Sequence, residues 1–436
     1  MQDNKKVAIN TNFKDKTKIT LKFEYIYVSL FLLTFLLVFK EIETPVGALR
    51  AIVITSFLYF ILFYREKIYG KQFLVLFAFL FLYSIVAFLY TGFFSIKTLS
   101  QIIFLTTSLV FLYNIFIKLG LIKVYRSYIF LSIFISIGIL LQHLGYYLGI
   151  PFLYDLSYLI NGYKVVTEAG VYRAHFIFSE PAIISYMLAL AFVMSFYSIL
   201  NKNKLLHLYI KKKYAFLIII AYLSTFSSLG YIVLILTIFS IIRMRMKSIL
   251  LFLFFAILGY IFLINNANYM YRVDGFLTLF NDEDMSVAKM NMSIWAMYSN
   301  MIIAFNNFTE YFPIGVGIAN HATSFDQYSY LLNHVTNLRG IILMKEGAGG
   351  LMLRITSEVG FIGILSIFYF LVVFKVNKKN NLDLYLLSNA FLIGIIVILI
   401  RHGGLISSMT TFYFLGYYFV GKHKDEGVNL FKKNLT

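Results

Sequence analysis

At 436 residues, with 60% hydrophobic, 19% aromatic and only 13% charged residues, the chain is too apolar for a soluble domain, so its length counts helices rather than globular domains. A net charge of +18 raises nucleic acid as a partner, but the charges sit in alternate loops between apolar runs, a distribution that sets membrane orientation and makes nucleic acid a poor reading. The absence of cysteine removes disulfides, thiolate catalysis and cysteine zinc sites together.

In chain order, residues 1–24 read as a lysine-rich cytoplasmic tail without a small-residue cleavage site, so the tail is expected to stay on. Apolar runs of roughly 20 residues, enough to cross about 30 Å of hydrocarbon, begin near Tyr25, Ala48, Gln72, Leu99, Ser127, Pro181, Ser248, Leu351, Leu382 and Gly404. With the tail inside, the basic groups Arg65/Lys67/Lys71, Lys118/Lys123/Arg126, Lys202 to Lys213, Arg243/Arg245/Lys247, Lys375/Lys378/Lys379 and Lys422 to Lys433 all fall on the cytoplasmic side. The run Tyr214 to Ile242 has basic residues at both ends, so it must enter and return; each half is short, and its turn is expected at Ser227-Ser228-Leu229-Gly230, below the outer surface. Irregular backbone at that depth has to be buried in protein or line a polar cavity.

The expected fold is therefore an all-α polytopic protein of about twelve spans, counting the broken hairpin 214–242 as two, with both termini cytoplasmic. Residues 25–421 form one transmembrane domain, 422–436 a second cytoplasmic tail, and the outer loops run at about 150–179 and 265–350. The second loop is long enough for helices of its own, including an amphipathic stretch from Val287 to Phe305 that carries the only tryptophan, Trp295. Loops of that length in a compact domain are usually functional.

Ionisable residues near the bilayer are costly and default to functional hypotheses. On the outer side these are Arg50, Arg173, Glu180, Arg354, Glu358, Arg401 and His402, with Arg272, His321, His334, Arg339 and Lys345 able to join from the loop. Several arginines round one cavity suit a diphosphate, because a guanidinium meets phosphate oxygens in a bidentate fork. Pro181 reads as the first residue of a helix, which leaves Ser179 or Glu180 as a cap or, alternatively, Glu180 as a base beside Arg173. Arg354 and Glu358, four apart, share a helix face and read equally as an intrahelical ion pair. His321 and His334 are ordinary loop histidines or bases that work near neutral pH. Asn281-Asp282-Glu283-Asp284 reads as a solvated acidic turn more readily than as a divalent-metal site. Gly347-Ala348-Gly349-Gly350 matches no phosphate loop and reads as a hinge or a close approach.

Four stretches together resemble the O-antigen polymerase and ligase superfamily, the Wzy-type polymerases above all. They are Arg173 to Pro181, Thr225 to Tyr231, Phe312 to Asn320 and Leu353 to Gly363. The resemblance implies a glycosyltransferase of the bacterial inner membrane that needs no metal and no cofactor. It would move a growing glycan from undecaprenyl diphosphate onto the terminal sugar of a new lipid-linked repeat unit at the periplasmic face. Glu180 is the first candidate for the base, with His321 and His334 in reserve. Arg173, Arg354, Arg401, Arg339 and Arg272, with His175, are the expected contacts to diphosphate and glycan. Expected partners are the lipid-linked glycans, membrane lipids, a flippase and a chain-length regulator. Gly349-Gly350 stands where many ligases of the family show His-Asn, which favours polymerase over ligase, and Ser228 stands where the hairpin often has arginine. A lipid-linked oligosaccharide flippase is the rival from another class; the lack of a visible internal repeat and the clustering of charge at one face count against it.

Overall fold

The computed structural model describes residues 24–36, 42–44, 47–49, 51–93, 95–160, 163–168, 171–200, 208–242, 292–332, 345–378 and 381–423. Helices joined by loops make up most of these segments, with two small antiparallel ladders, β1 (Ile42–Thr44) with β2 (Gly47–Leu49) and β3 (Thr167–Glu168) with β4 (Val171–Tyr172). Among the described residues, five helices are long and apolar enough to cross a membrane: α3 (Gln72–Thr91), α4 (Lys97–Leu119), α5 (Leu121–Tyr147), α7 (Pro181–Leu200) and α14 (Leu382–Arg401). Shorter helices are α1 (Glu24–Leu36), α2 (Ala51–Leu62), α6 (Pro151–Tyr154), α8 (Lys212–Ser224) and α9 (Ser228–Ile242). The remainder are α10 (Met292–Glu310), α11 (His321–Tyr328), α12 (Leu351–Glu358), α13 (Gly360–Val373) and α15 (Ser408–Lys422). The apolar run expected from Ser248 lies outside the described residues.

Helix α7 is the axis of the bundle. Most of its side chains are buried, and it packs on α8, α9 and α14. Because a lipid-facing helix gains nothing from hydrophobic burial, close approach by small residues and interhelical hydrogen bonds does the packing. Gly394 and Gly416 let α14 and α15 approach, since a Cβ at either would stand 2.1 Å from the Tyr413 ring or 2.2 Å from the Phe391 ring. The Tyr413 hydroxyl donates to the Tyr186 carbonyl at 2.8 Å, and the Tyr222 hydroxyl to the Ser185 carbonyl at 3.0 Å.

Two positions refine the sequence reading. The expected hairpin is present as α8 and α9, but the break falls at Thr225 to Ser227, with Phe226 at φ 48°, just before the expected turn. Gly230 already belongs to α9, where it faces Ser185 and Tyr222. The break meets His143 near the end of α5 through the Ser224 carbonyl (2.8 Å), whereas Ser240 meets Tyr197 near the far end of α7, so the chain reverses direction at the break. The single span expected from Leu351 is two helices, α12 and α13, separated at Val359 with Gly360 at φ +61°. The reason is tertiary: the carbonyls of Ser357 and Glu358 accept from the Val316 and Gly317 amides, both at 2.9 Å, instead of continuing the helix ladder.

Candidate functional site

The two glycine-bearing stretches at 312–320 and 353–363 lock together. Besides the two amide bonds just described, the Phe361 N–H donates to the Pro313 carbonyl at 2.9 Å, and the Tyr83 hydroxyl from α3 reaches the carbonyls of Ile314 (2.5 Å) and Glu358 (3.1 Å). Backbone meets backbone here, so side chains have no room. A Cβ on Gly315 would stand 2.5 Å from the Ser357 carbonyl oxygen, and one on Gly360 would stand 2.4 Å from that of Pro313. Both glycines also hold positive φ, +81° and +61°, which L side chains resist.

This clasp fixes α12 and with it a buried polar cluster. Arg354 is 5% exposed and spends its guanidinium on three partners: Nε donates to Glu358 Oε1 at 3.0 Å, Nη1 to the Gly403 carbonyl at 3.0 Å and Nη2 to Gln101 Oε1 on α4 at 2.7 Å. The ion pair foreseen from the i,i+4 spacing thus forms in the interior rather than at a wet surface. The backbone amides of Ala319 and His321, at the start of α11, also act on the Glu358 carboxylate, as helix N-termini do on anions.

His321 is likewise buried. Its Nδ1 meets Ser357 Oγ at 2.8 Å and its Nε2 meets Asn300 Oδ1 at 3.0 Å. The neighbours settle the tautomer. Asn307 Nδ2 donates to Ser357 Oγ at 2.7 Å, and Asn300 donates its Nδ2 to the Ala296 carbonyl at 2.6 Å and so turns its acceptor Oδ1 to the ring; Nε2 therefore carries the proton and Nδ1 accepts from Ser357. Burial, assisted by the nearby Arg354 charge, pushes the imidazole down to about 3. Gln101, Asn300, Asn307 and Ser357 escaped the sequence reading. The available signal was polar side chains recurring inside apolar helical runs, which a search for ionisable groups passes over.

The segment Lys345 to Gly350 packs against this cluster between Asn300 and the turn at Gly403. A Cβ on Gly350 would stand 2.4 Å from the Ile400 carbonyl oxygen, and one on Gly403 would stand 1.6 Å from that of Gly347. The glycine run is therefore a close-approach site. Lys345 bonds both carboxylate oxygens of Asp326 at 2.9 Å, and Lys97 pairs with Glu346 at 3.1 Å.

A second group surrounds the start of α7. Gln142 on α5 anchors the preceding loop by accepting from the Phe176 N–H (2.6 Å) and donating to the Tyr163 hydroxyl (2.8 Å). His175 is fully buried, with one ring nitrogen against the Phe178 carbonyl and the other 3.0 Å from that of Lys164; a neutral ring donates to only one of them. Its proton affinity is lowered mainly by burial and also by Arg173, while the two carbonyls and the Glu180 charge oppose that shift. Glu180 is exposed, immediately before Pro181, and its charge also acts on Arg401 at the end of α14. Arg173 and Arg401 are both half-buried, and Arg401 Nη1 is a buried donor without a hydrogen-bond partner among the described residues. His402 packs against Tyr186 of α7, with ring centroids 4.5 Å apart.

The fold thus joins Arg173, His175, Glu180 and Arg401 in one neighbourhood and Arg354, Glu358 and His321 in another, linked through the turn at Gly403. Arg50, Arg272, His334, Arg339 and the acidic stretch Asn281 to Asp284 lie outside the described residues. Among the described residues no three or more His, Asp or Glu side chains gather as a metal site. Compared with known family models, curated proteins and solved structures, the chain matches none of them.

Proposed function

We propose that the chain is a surface-polysaccharide polymerase, a membrane glycosyltransferase that moves a growing glycan from undecaprenyl diphosphate onto a lipid-linked repeat unit at the periplasmic face of the bacterial inner membrane. The observation that carries the reading is an exposed carboxylate, Glu180, close enough to act electrostatically on both Arg401 and His175, with Arg173 beside them. A transfer of this kind needs a base for the incoming hydroxyl and cations for the charge that develops on the departing diphosphate. Glu180 takes the hydroxyl proton as the sugar oxygen attacks the anomeric carbon. The bond from that carbon to the diphosphate oxygen breaks, and its electron pair leaves with the diphosphate, which Arg401 and Arg173 receive.

Two of the other candidates, Arg354 and His321, serve the framework. Arg354 has all three nitrogens engaged by protein and is 5% exposed, and His321, buried and pushed down to about 3, is a poor base at neutral pH. The test is the glycan length profile of cells lacking the gene, complemented with wild-type chain, Glu180→Gln or Arg401→Ala at matched membrane levels. Single repeat units in the null strain, with a ladder restored by wild type and by neither variant, support the reading. A full ladder with Glu180→Gln removes Glu180 as the base. A null strain with no repeats at all overturns polymerase in favour of ligase or flippase.

A further inference from the structure

Helix α10 turns two unlike faces outward and inward. Trp295, Ala296, Ser299, Asn300, Ile303, Ala304 and Asn307 are buried against α11, α12 and α13. Met297 (37% exposed), Met301 (40%) and Phe305 (58%) stand on the other side with half-buried Phe308, and at 100° per residue these four fall within an arc of about 80°. A loop helix washed by water would place charge there. Instead, the only charged residue in the whole of α10 is Glu310, its last.

The apolar stripe also continues into other exposed surfaces. Phe312, just past the helix, packs its ring on Phe361 at the start of α13 (centroids 5.6 Å apart), and its carbonyl accepts from the Tyr90 hydroxyl at the end of α3 (3.5 Å). Beyond those contacts lie the faces of α3 and α13 that the chain leaves uncovered, Leu82, Ile85, Val86 and Leu89 on one and Leu365, Phe368, Tyr369 and Val372 on the other. Helix α3 buries only Tyr83 and Ala87 along its length and has a mean hydropathy of 2.6, as a lipid-facing span requires.

We propose that α10 is an interfacial helix, seated in the plane of the bilayer surface with Met297, Met301, Phe305 and Phe312 inserted among lipid chains. Continuity with the uncovered faces of α3 and α13 identifies bilayer lipid as the occupant. The absence of charge from the stripe and its flexible methionines suit a fluid apolar phase, and a helix so placed buries its apolar face about 5–10 Å into the boundary between headgroups and acyl chains. The opposite face of the same helix carries Asn300 and Asn307, so the lipid contact and the His321–Ser357 network share one rigid element. The inference stands independently of the glycosyltransferase reading.

The chain's lack of cysteine makes the test clean. Single-cysteine variants Met301→Cys and Phe305→Cys carry a nitroxide label in lipid nanodiscs, with Leu365→Cys on α13 as the lipid reference and Thr323→Cys, exposed on α11, as the aqueous reference. Power saturation with oxygen and with a soluble nickel chelate reads the surroundings of each label. The expected result is an oxygen-to-nickel accessibility ratio at 301 and 305 close to that at 365 and several-fold above that at 323. Ratios like that at 323 overturn the proposal, because the stripe is then in water. Low access to both reagents with spin–spin broadening also overturns it, because a second copy then covers the stripe.

Discussion

Arg354 and Glu358 form an ion pair buried from solvent, and a double-mutant cycle measures what they do. Replacing Arg354 by Met keeps much of the side-chain volume but leaves Glu358, 1% exposed, without its cation, and leaves Gln101 Oε1 and the Gly403 carbonyl without a donor. Breaking a buried pair from one side costs about 3–5 kcal/mol. Each stranded acceptor adds up to about 1–3 kcal/mol where it cannot reach water. These costs overlap, so the expected loss for Arg354→Met is about 4 kcal/mol, within the range for a broken buried pair. Glu358→Gln strands the guanidinium instead and is expected to cost a similar amount. Removing both charges together leaves no buried unpaired ion, so the double variant is expected to fall short of additivity by about 2–3 kcal/mol, within the range for contacting residues. Denaturation of the detergent-solubilised protein, followed through Trp295 fluorescence, is a suitable assay because Trp295 is buried in the neighbouring cluster with Ile303 and Phe325. A loss below about 1 kcal/mol for Arg354→Met, the value typical of an exposed pair, or an additive double variant would refute the reasoning.

Three further outcomes follow from the same geometry. His321, neutral in the folded state and pushed down to about 3, binds a proton in the unfolded chain near the ordinary imidazole value of 6.5. Stability is therefore full above about pH 6.5 and falls as pH drops from there toward 3, by about 1.4 kcal/mol per pH unit from this one group; His321→Gln should flatten that limb of a stability-against-pH curve. Gly360→Ala should destabilise by about 1–3 kcal/mol or more, since its Cβ would meet the Pro313 carbonyl oxygen at a left-handed φ; limited proteolysis of the loop at 312–320 reports the opening, and protection equal to wild type would count against the clasp. Gly403→Ala would place its Cβ 1.6 Å from the Gly347 carbonyl oxygen, so it should separate the turn from the segment Lys345 to Gly350, expose Arg354 and lower any activity that depends on Arg401 without altering Glu180.

Much of the architecture is legible in the sequence because hydrocarbon is an unforgiving solvent. Runs of apolar residues such as Gln72 to Thr91 have to be helical, since every backbone polar group must be satisfied within its own segment. The amphipathic stretch round Trp295 emerged as α10, and the Ser/Gly-marked run near 225–230 as a broken pair of helices, for the same local reasons. The i,i+4 pairing of Arg354 with Glu358 was legible from spacing alone.

What the sequence could not decide is which groups are spent on the fold and which face outward, because burial is a property of several segments at once. Arg354 and Arg401 look alike as isolated arginines beside apolar runs. Only the approach of Gln101, 253 residues away in sequence, and of the Gly403 carbonyl uses up the first, while the second keeps a donor without a partner among the described residues. His321 and Glu180 read as alternative bases, until Asn300, Ser357 and Arg354 converge on the histidine and the start of α7 leaves the carboxylate exposed. The break between α12 and α13 was equally hidden, since its cause is the backbone of a distant loop taking two helix carbonyls. Local chemistry determined the helices and their amphipathic faces; contacts between residues far apart in the chain determined the site.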